Sequence, residues 1–386
     1  MKTENIRADF PVLKNIVYLD SACMSLKPRQ VVEAMDDYYL NYPACSGRSV
    51  HKLGRKATEE YSKARRVVAR FISAKEGEII FTKNTTESLN LVAKSLDLNG
   101  KTVITSDREH NSNLVPWQLS EAEHKIVQTG ENKSFDFDDF DAKLDKNVKI
   151  VSVVHTSNID GTTMPVKDIA KIAHDNGSLV MIDAAQSAPH MELDVRKLGV
   201  DFAAFSGHKM LGPSIGVLFG KKDALEHLNP FMTGGDTVAR TTYTSHEFLK
   251  PPEKFEAGLQ NYAGAIGLAA AISYIEKIGF DAIGKHETAM NKLITESLEG
   301  VVDIIGPSWE KRSGIFPFNI GKMDPGEAAI LLDSQNIAVR SGQHCAHSWF
   351  HSRGIKGSVR ASLYLYNNEE DCERFIDAVR KISRLS

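Results

Sequence analysis

Lys209 stands in the stretch Phe205-Ser206-Gly207-His208-Lys209-Met210-Leu211-Gly212-Pro213, between two apolar runs, Val200–Phe205 and Ile215–Phe219. The runs read as strands and the glycines free the backbone between them, so the lysine emerges from a tight loop at a strand end. An ammonium held in such a place is disfavoured by desolvation, which leaves an amine able to attack a carbonyl. Taken alone, a loop lysine is more often a solvated surface residue. Its upstream partners change that reading. Asp183 follows the continuous apolar run Ser178–Ile182, His110 follows Thr102–Thr105, and Asn158 follows Lys149–Val154. Thr85 and Thr86 lie where Glu78–Thr82 passes into a helix start, Lys83-Asn84-Thr85-Thr86-Glu87. Hydroxyls and free N–H groups at a helix start suit a phosphate, although ordinary N-capping explains the same residues.

The elements that must position these groups alternate strand with helix, and the strands are apolar throughout. That pattern predicts a mainly parallel sheet of the seven-stranded type, covered by helices on both faces. In such sheets ligands bind beyond the carboxyl ends of the strands, which is where Thr86, His110, Asn158, Asp183, Ser206, His208 and Lys209 fall. Helices are expected at Val31–Tyr42, Lys52–Ile72, Ser88–Leu96 and Val166–Asn176. After Leu225 the pattern changes: an irregular segment through Gly258 leads to long helices, Asn261–Ile278 and Asp281–Leu298. Shorter strands follow near Gly314–Ile320, Ile337–Arg340 and Ser358–Leu363, with helices at Gly326–Gln335 and Glu369–Ile382. This second layer predicts a smaller α/β C-terminal domain. The expected division is a large domain over residues 20–265 and a small one built from 1–19 and 266–386.

The chain has 386 residues, 42% hydrophobic and 25% charged, with a formal net charge of −3. This is the composition of a soluble enzyme, and it offers no electrostatic footprint for nucleic acid or an anionic membrane. No signal peptide is read at the start, and Tyr262–Ile275 is too short to span a bilayer. Cys23, Cys45, Cys345 and Cys372 are scattered without a CxxC pair, against a disulfide framework or zinc ribbon. A reduced, cytoplasmic protein is expected.

A lysine amine and a buried carboxylate belong together in pyridoxal 5′-phosphate (PLP) chemistry. The amine captures the cofactor aldehyde, and an aspartate keeps the pyridine nitrogen protonated so that the ring accepts electrons. On this reading Thr86, Ser206 and His208 serve the phosphate, His110 stacks on the ring, and Asn158 and Gln186 reach the ring oxygen.

The strings Ser157-Asn158-Ile159-Asp160-Gly161, Asp183-Ala184-Ala185-Gln186 and Ser206-Gly207-His208-Lys209 resemble fold type I PLP enzymes of the class V aminotransferase group. Within it, Tyr18-Leu19-Asp20-Ser21-Ala22, Asn84-Thr85-Thr86-Glu87, Phe255-Glu256-Ala257-Gly258 and Arg340-Ser341-Gly342-Gln343-His344-Cys345-Ala346 resemble the Suf-type (group II) cysteine desulfurases and selenocysteine lyases. The resemblance covers nearly the whole chain, in order. It implies that Cys345 is the nucleophile receiving sulfur, that Arg360 binds the substrate carboxylate, that Arg340 serves the same pocket, and that His51 lies on the substrate loop. It further implies L-cysteine or L-selenocysteine as substrate, a sulfur-acceptor protein and a homodimer. A thiolate at Cys345 would be favoured by His344 and Arg340.

Two departures stand out. Leu259 replaces a threonine that reaches the neighbouring subunit's phosphate, and the Cys45–His51 loop is one residue longer than usual. Cys23 is an extra thiol, read as packing. Gly212-Pro213-Ser214-Ile215-Gly216 matches a hydrolase elbow, but a strand follows where that motif needs a helix. His344, Cys345, His347 and His351 could gather a metal, yet lack the glutamate of a zinc hydrolase; no catalytic metal is expected. Other outcomes on the same scaffold are selenocysteine lyase, sulfinate lyase, aminotransferase, or a non-catalytic sulfur-relay protein.

Overall fold

The computed structural model describes residues 3–129 and 135–385; residues 1, 2, 130–134 and 386 lie outside them. Seven strands form the main sheet in the order Ile79–Thr82, Gly216–Gly220, Phe202–Ser206, Leu179–Asp183, Val148–Val154, Thr102–Ser106 and Glu123–Val127. All pair in parallel except Gly216–Gly220, which runs antiparallel to both its neighbours. Phe202–Ser206 and Gly216–Gly220 are therefore joined by one short connection, and that connection carries Lys209. Because Thr82 pairs with Gly216 and Ser206 with Gly216, the helix start after Thr82 and the lysine loop meet at one sheet end. The α/β architecture is the one expected, with a single antiparallel strand inserted.

Val151, Val153, Ile182, Ala203 and Phe205 face one core, while Ile150, Met181, Phe202 and Leu218 face the other, as the period of two requires. Helix Tyr262–Ile278 closes the first core and is buried along most of its length. Its small residues let neighbours approach: a Cβ at Gly267 would stand 2.8 Å from Met35 and 3.1 Å from Pro213. A Cβ at Gly207 would stand 2.7 Å from the Pro213 carbonyl, so only glycine lets the lysine loop fold back on itself.

A second, four-stranded antiparallel sheet runs Asp303–Ile304, Ile315–Asn319, Ser358–Ser362, Arg340–Gly342. Helices Phe280–Leu298, Pro325–Asp333 and Glu369–Ser383 pack their apolar faces on it around Phe316, Phe318 and Phe375. Two details differ from the sequence expectations. Ile337–Arg340, read as one strand, is split: Ile337–Ala338 pairs with Val17–Tyr18, and Arg340–Gly342 pairs with Ser358–Ser362. Ile337 enters the C-terminal core beside Val17, whereas the chain beyond it crosses to the edge of the four-stranded sheet. Strand Glu123–Val127 was not expected, because Glu-His-Lys-Ile-Val lacks apolar alternation. It is the edge strand, where charge protects an open ladder.

Glu256 ties the layers together. Its carboxylate accepts from both terminal nitrogens of Arg65, at 2.9 and 2.7 Å, from the Tyr61 hydroxyl at 3.1 Å and from the Phe81 amide at 2.7 Å. Both partners are largely buried, with side chains 11% and 5% exposed. Removing one partner from such a pair strands a charge, at a cost of about 3–5 kcal/mol. Arg65→Ala should lower the urea unfolding midpoint accordingly; a midpoint equal to wild type would show that Glu256 is adequately held by Tyr61 and Phe81 alone.

Candidate active site

Beyond the carboxyl ends of the main strands lies a cavity of about 270 Å³, into which the C-terminal sheet also reaches. Thr85 begins helix Thr85–Ser95, capped by the Asn84 side chain. Its amide and hydroxyl both meet Ser206 Oγ, at 2.8 and 2.6 Å, and Thr86 Oγ1 meets Ser112 Oγ at 2.7 Å. Gly216 makes room for this corner, since a Cβ there would lie 2.5 Å from the backbone of Asn84. The result is a ring of hydroxyls around a helix N-terminus, beside His208. Burial pushes His208 down to about 4, helped by Lys209 and Lys27, so the ring is neutral near pH 7.

Lys209 lines the cavity, and its pKa is lowered, chiefly by burial, while Asp183 opposes the shift. Asp183 is 4% exposed and accepts from the Ala185 amide at 2.9 Å. Burial raises its pKa, and the Lys209 charge and that hydrogen bond pull it back. Ser25 holds the lysine loop from behind: its hydroxyl donates to the His208 carbonyl at 3.1 Å and accepts from the Leu211 amide at 2.7 Å.

His110 Nδ1 accepts from the Ser112 amide at 3.0 Å. Burial, then Lys209, Arg360 and His347, lower its pKa to about 3. Asn158 donates to the His344 carbonyl at 2.7 Å, and Gln186 donates to the Ala22 carbonyl at 2.7 Å. The amide oxygens of both lie buried without a partner.

Arg360 comes from the C-terminal sheet and is 3% exposed. One terminal nitrogen donates to the Asn158 carbonyl at 2.9 Å, another lies 3.8 Å from Asp20, and its Nε has no partner. Arg340 sits directly opposite Arg360 in the antiparallel register. Like charges so placed are destabilising, unless an anion lies between them. The pair therefore suits a carboxylate, which a guanidinium can hold in a bidentate manner.

Cys345 is exposed and also lines the cavity. It and His344 both have positive φ, 58° and 50°, a region costly for residues with a side chain. The turn is held from the main domain: Asn111 N–H donates to the Cys345 carbonyl at 2.7 Å, alongside the Asn158 bond to His344. One expectation is corrected here. His344 supplies no positive charge to Cys345, because burial, Arg360 and Arg340 push its pKa down to about 2, and its Nε2 pairs with Ser358 at 2.8 Å. Arg340 instead donates to Cys23 Sγ at 3.1 Å.

The cavity thus brings together Thr85, Thr86, His110, Asn158, Asp183, Gln186, Ser206, His208, Lys209, Arg340, Cys345 and Arg360. His51 is exposed and caps helix Lys52–Phe71 by accepting from Gly54 N–H, outside the cavity. Thr156 and Ser112 line it without having been singled out, and so does Cys23, read from the sequence as packing. Ser112 was readable, two residues past His110; Thr156 lies inside the strand-end string His155-Thr156-Ser157-Asn158. Among the described residues no group of three or more His, Cys, Asp or Glu is placed to hold a metal ion.

The aminotransferase class-V family matches residues 17–375. The chain belongs to that family. A probable cysteine desulfurase of Pyrococcus abyssi is 42% identical over 98% of this chain and 97% of its own length. One from Halalkalibacterium halodurans is 42% identical over 99% and 97%. Among solved structures, a cysteine desulfurase from Thermococcus onnurineus superposes with a TM-score of 0.96 at 41% identity, covering 99% of this chain and 98% of that one. The Escherichia coli cysteine desulfurase CsdA gives 0.93 at 32% identity, over 100% and 99%. Enzymes of this family use PLP.

The residues present fit that cofactor. Unpartnered amide oxygens on Asn158 and Gln186, a buried carboxylate facing the lysine, and a hydroxyl-lined helix start are what a hydroxypyridine phosphate requires. The buried imidazoles also set a pH dependence. Their folded pKa values lie below the usual 6.5, so unfolded rings take up protons before folded ones as pH falls. The contribution of His110 and His344 to stability is therefore present above about pH 6.5 and is lost as the pH falls below it. Imidazole nitrogen NMR at pH 5.5 should show both rings neutral; a charged His344 would restore it as the electrostatic partner of Cys345.

Proposed function

We propose that this chain is a PLP-dependent cysteine desulfurase that converts L-cysteine to L-alanine and takes the sulfur onto Cys345 as a persulfide. What carries this reading is a single cavity holding Lys209, Asp183 and the Cys345 thiol, in a chain whose full-length relatives bear the name cysteine desulfurase. PLP, when bound, supplies the electron sink that lets bonds at the substrate's α- and β-carbons break. Thr85, Thr86, Ser206 and His208 would hold its phosphate, Asp183 its ring nitrogen, Asn158 and Gln186 its ring oxygen, and His110 one ring face.

The chain's own groups account for the rest. Arg360, with Arg340 across the ladder, orients the amino-acid carboxylate. Lys209 Nζ, whose pKa is lowered chiefly by burial, moves protons to and from the substrate carbons. The Cys345 thiolate attacks the substrate sulfur; a sulfur–sulfur bond forms as the carbon–sulfur bond breaks, and the released carbon is protonated to give alanine. Exposure of Cys345 supports onward delivery to an acceptor protein, for which iron–sulfur cluster assembly is one destination. A homodimer is supported by exposed apolar side chains around the His51 loop: Tyr39, Leu40, Val50, Leu53 and Leu259 are 45–85% exposed. A reducing, cytoplasmic setting is supported by four unpaired thiols. Among the described residues no single helix is long and apolar enough to cross a membrane.

Borohydride reduction of the yellow protein should fix the cofactor on Lys209 by peptide mass, and Lys209→Ala should lose turnover while retaining some PLP. An adduct on another lysine, or none, ends the PLP assignment. Asp183→Asn should lower turnover by roughly a hundredfold or more, the scale of such electrostatic terms; wild-type turnover with PLP bound would remove Asp183 from its role.

Cys345→Ala should keep PLP and still bind cysteine, shown by its absorption change, yet release no sulfide in the presence of a reductant. Full desulfuration of L-cysteine by this variant would reject Cys345 as nucleophile. Turnover of L-selenocysteine but not of L-cysteine by the wild-type protein would mark the enzyme as a selenocysteine lyase instead.

A further inference from the structure

Cys23 is not packed as an inert thiol. The inert case in this chain is Cys372, fully buried in the C-terminal core against Met290 Sδ at 3.6 Å, with its thiol pushed up to about 12 by burial. Cys23 is half-buried and lines the same cavity as Cys345. Arg340 donates to its sulfur at 3.1 Å. The backbone around it is held on every side: Ala22 N–H donates to Ser362 Oγ at 2.9 Å, the Ala22 carbonyl accepts from buried Gln186 at 2.7 Å, and the Met24 carbonyl accepts from the Tyr18 hydroxyl at 2.7 Å. Thiolate charge on either Cys23 or Cys345 acts on the same two cations, Lys209 and Arg360. Arg360, 3% exposed and with its Nε unpartnered, lines the same cavity.

We propose that Cys23 is a second sulfur-carrying thiol of this active site, taking the outer sulfur from the persulfide on Cys345. The proposal rests on the desulfurase reading above. In the transfer, the Cys23 thiolate attacks the outer sulfur of the protonated Cys345 persulfide. A sulfur–sulfur bond forms at Cys23, the one at Cys345 breaks, and the electron pair leaves on Cys345 as its thiolate. The proton stays on the outer sulfur, so charge and electrons balance without an oxidant or reductant. Arg340 places positive charge beside the sulfur that receives the group. Transfer frees Cys345 to accept a second sulfur, so the protein stores two per chain where one nucleophile would store one.

The test is a rapid-quench pulse of the PLP-loaded protein with L-cysteine, without reductant, followed by thiol-blocking and peptide mass spectrometry. Wild type should show persulfide on Cys345 first and on Cys23 later, approaching two sulfurs per chain. Cys23→Ser and Cys23→Ala should both stop at one sulfur, on Cys345; two variants guard against a folding defect in either. Cys345→Ala should leave Cys23 unmodified. Persulfide confined to Cys345 in wild type, or present on Cys23 in Cys345→Ala, overturns the relay while leaving desulfuration standing. Persulfide on neither thiol overturns the desulfurase reading and the relay with it.

Discussion

The site depends on one electrostatic arrangement: a lysine and an aspartate facing the same cavity, each displaced from its ordinary ionisation by burial and each held partly in place by the other. A buried carboxylate or ammonium alone would discharge itself. Two together, with donors and acceptors arranged around them, can stay poised. The elements around the main sheet fix both. Asp183 is fixed at a strand terminus and by the Ala185 amide; Lys209 is fixed by Gly207, by Ser25 and by the helix packed behind the loop.

The reversed strand Gly216–Gly220 makes the local assembly possible. A wholly parallel connection after Ser206 would carry the chain away through a crossover helix. Reversal instead returns it at once to the neighbouring position, so that the lysine loop, the helix start at Thr85 and Ser206 share one corner. The thiol and the two arginines come from the other sheet. They are registered to the main domain by Asn158 and Asn111, which grip consecutive carbonyls of the cysteine turn.

Much of this was legible in the chain. Lys209, Asp183, His110 and Asn158 each follow an apolar strand, and strand ends in an α/β sheet converge. Helix Val166–Asn176 has the expected bounds because its period and its glycine stop agree. What the sequence hid depends on partners distant in the chain. The polar edge strand Glu123–Val127 carries no alternation. The split of Ile337–Arg340 is dictated by two different sheets. His344, adjacent to Cys345, looks like its electrostatic partner until burial against Ser358 and two arginines makes it neutral. Cys23 looks like filler until Arg340, over three hundred residues away, is found donating to its sulfur.

The cysteine turn has a kinetic consequence. With the carbonyls of both His344 and Cys345 held and the backbone locked at positive φ, the sulfur moves by rotation about its own side-chain bonds. Such rotation takes picoseconds to nanoseconds at an exposed residue, whereas loop motion takes nanoseconds to microseconds. The thiol can thus turn from the cavity toward solvent without any backbone opening.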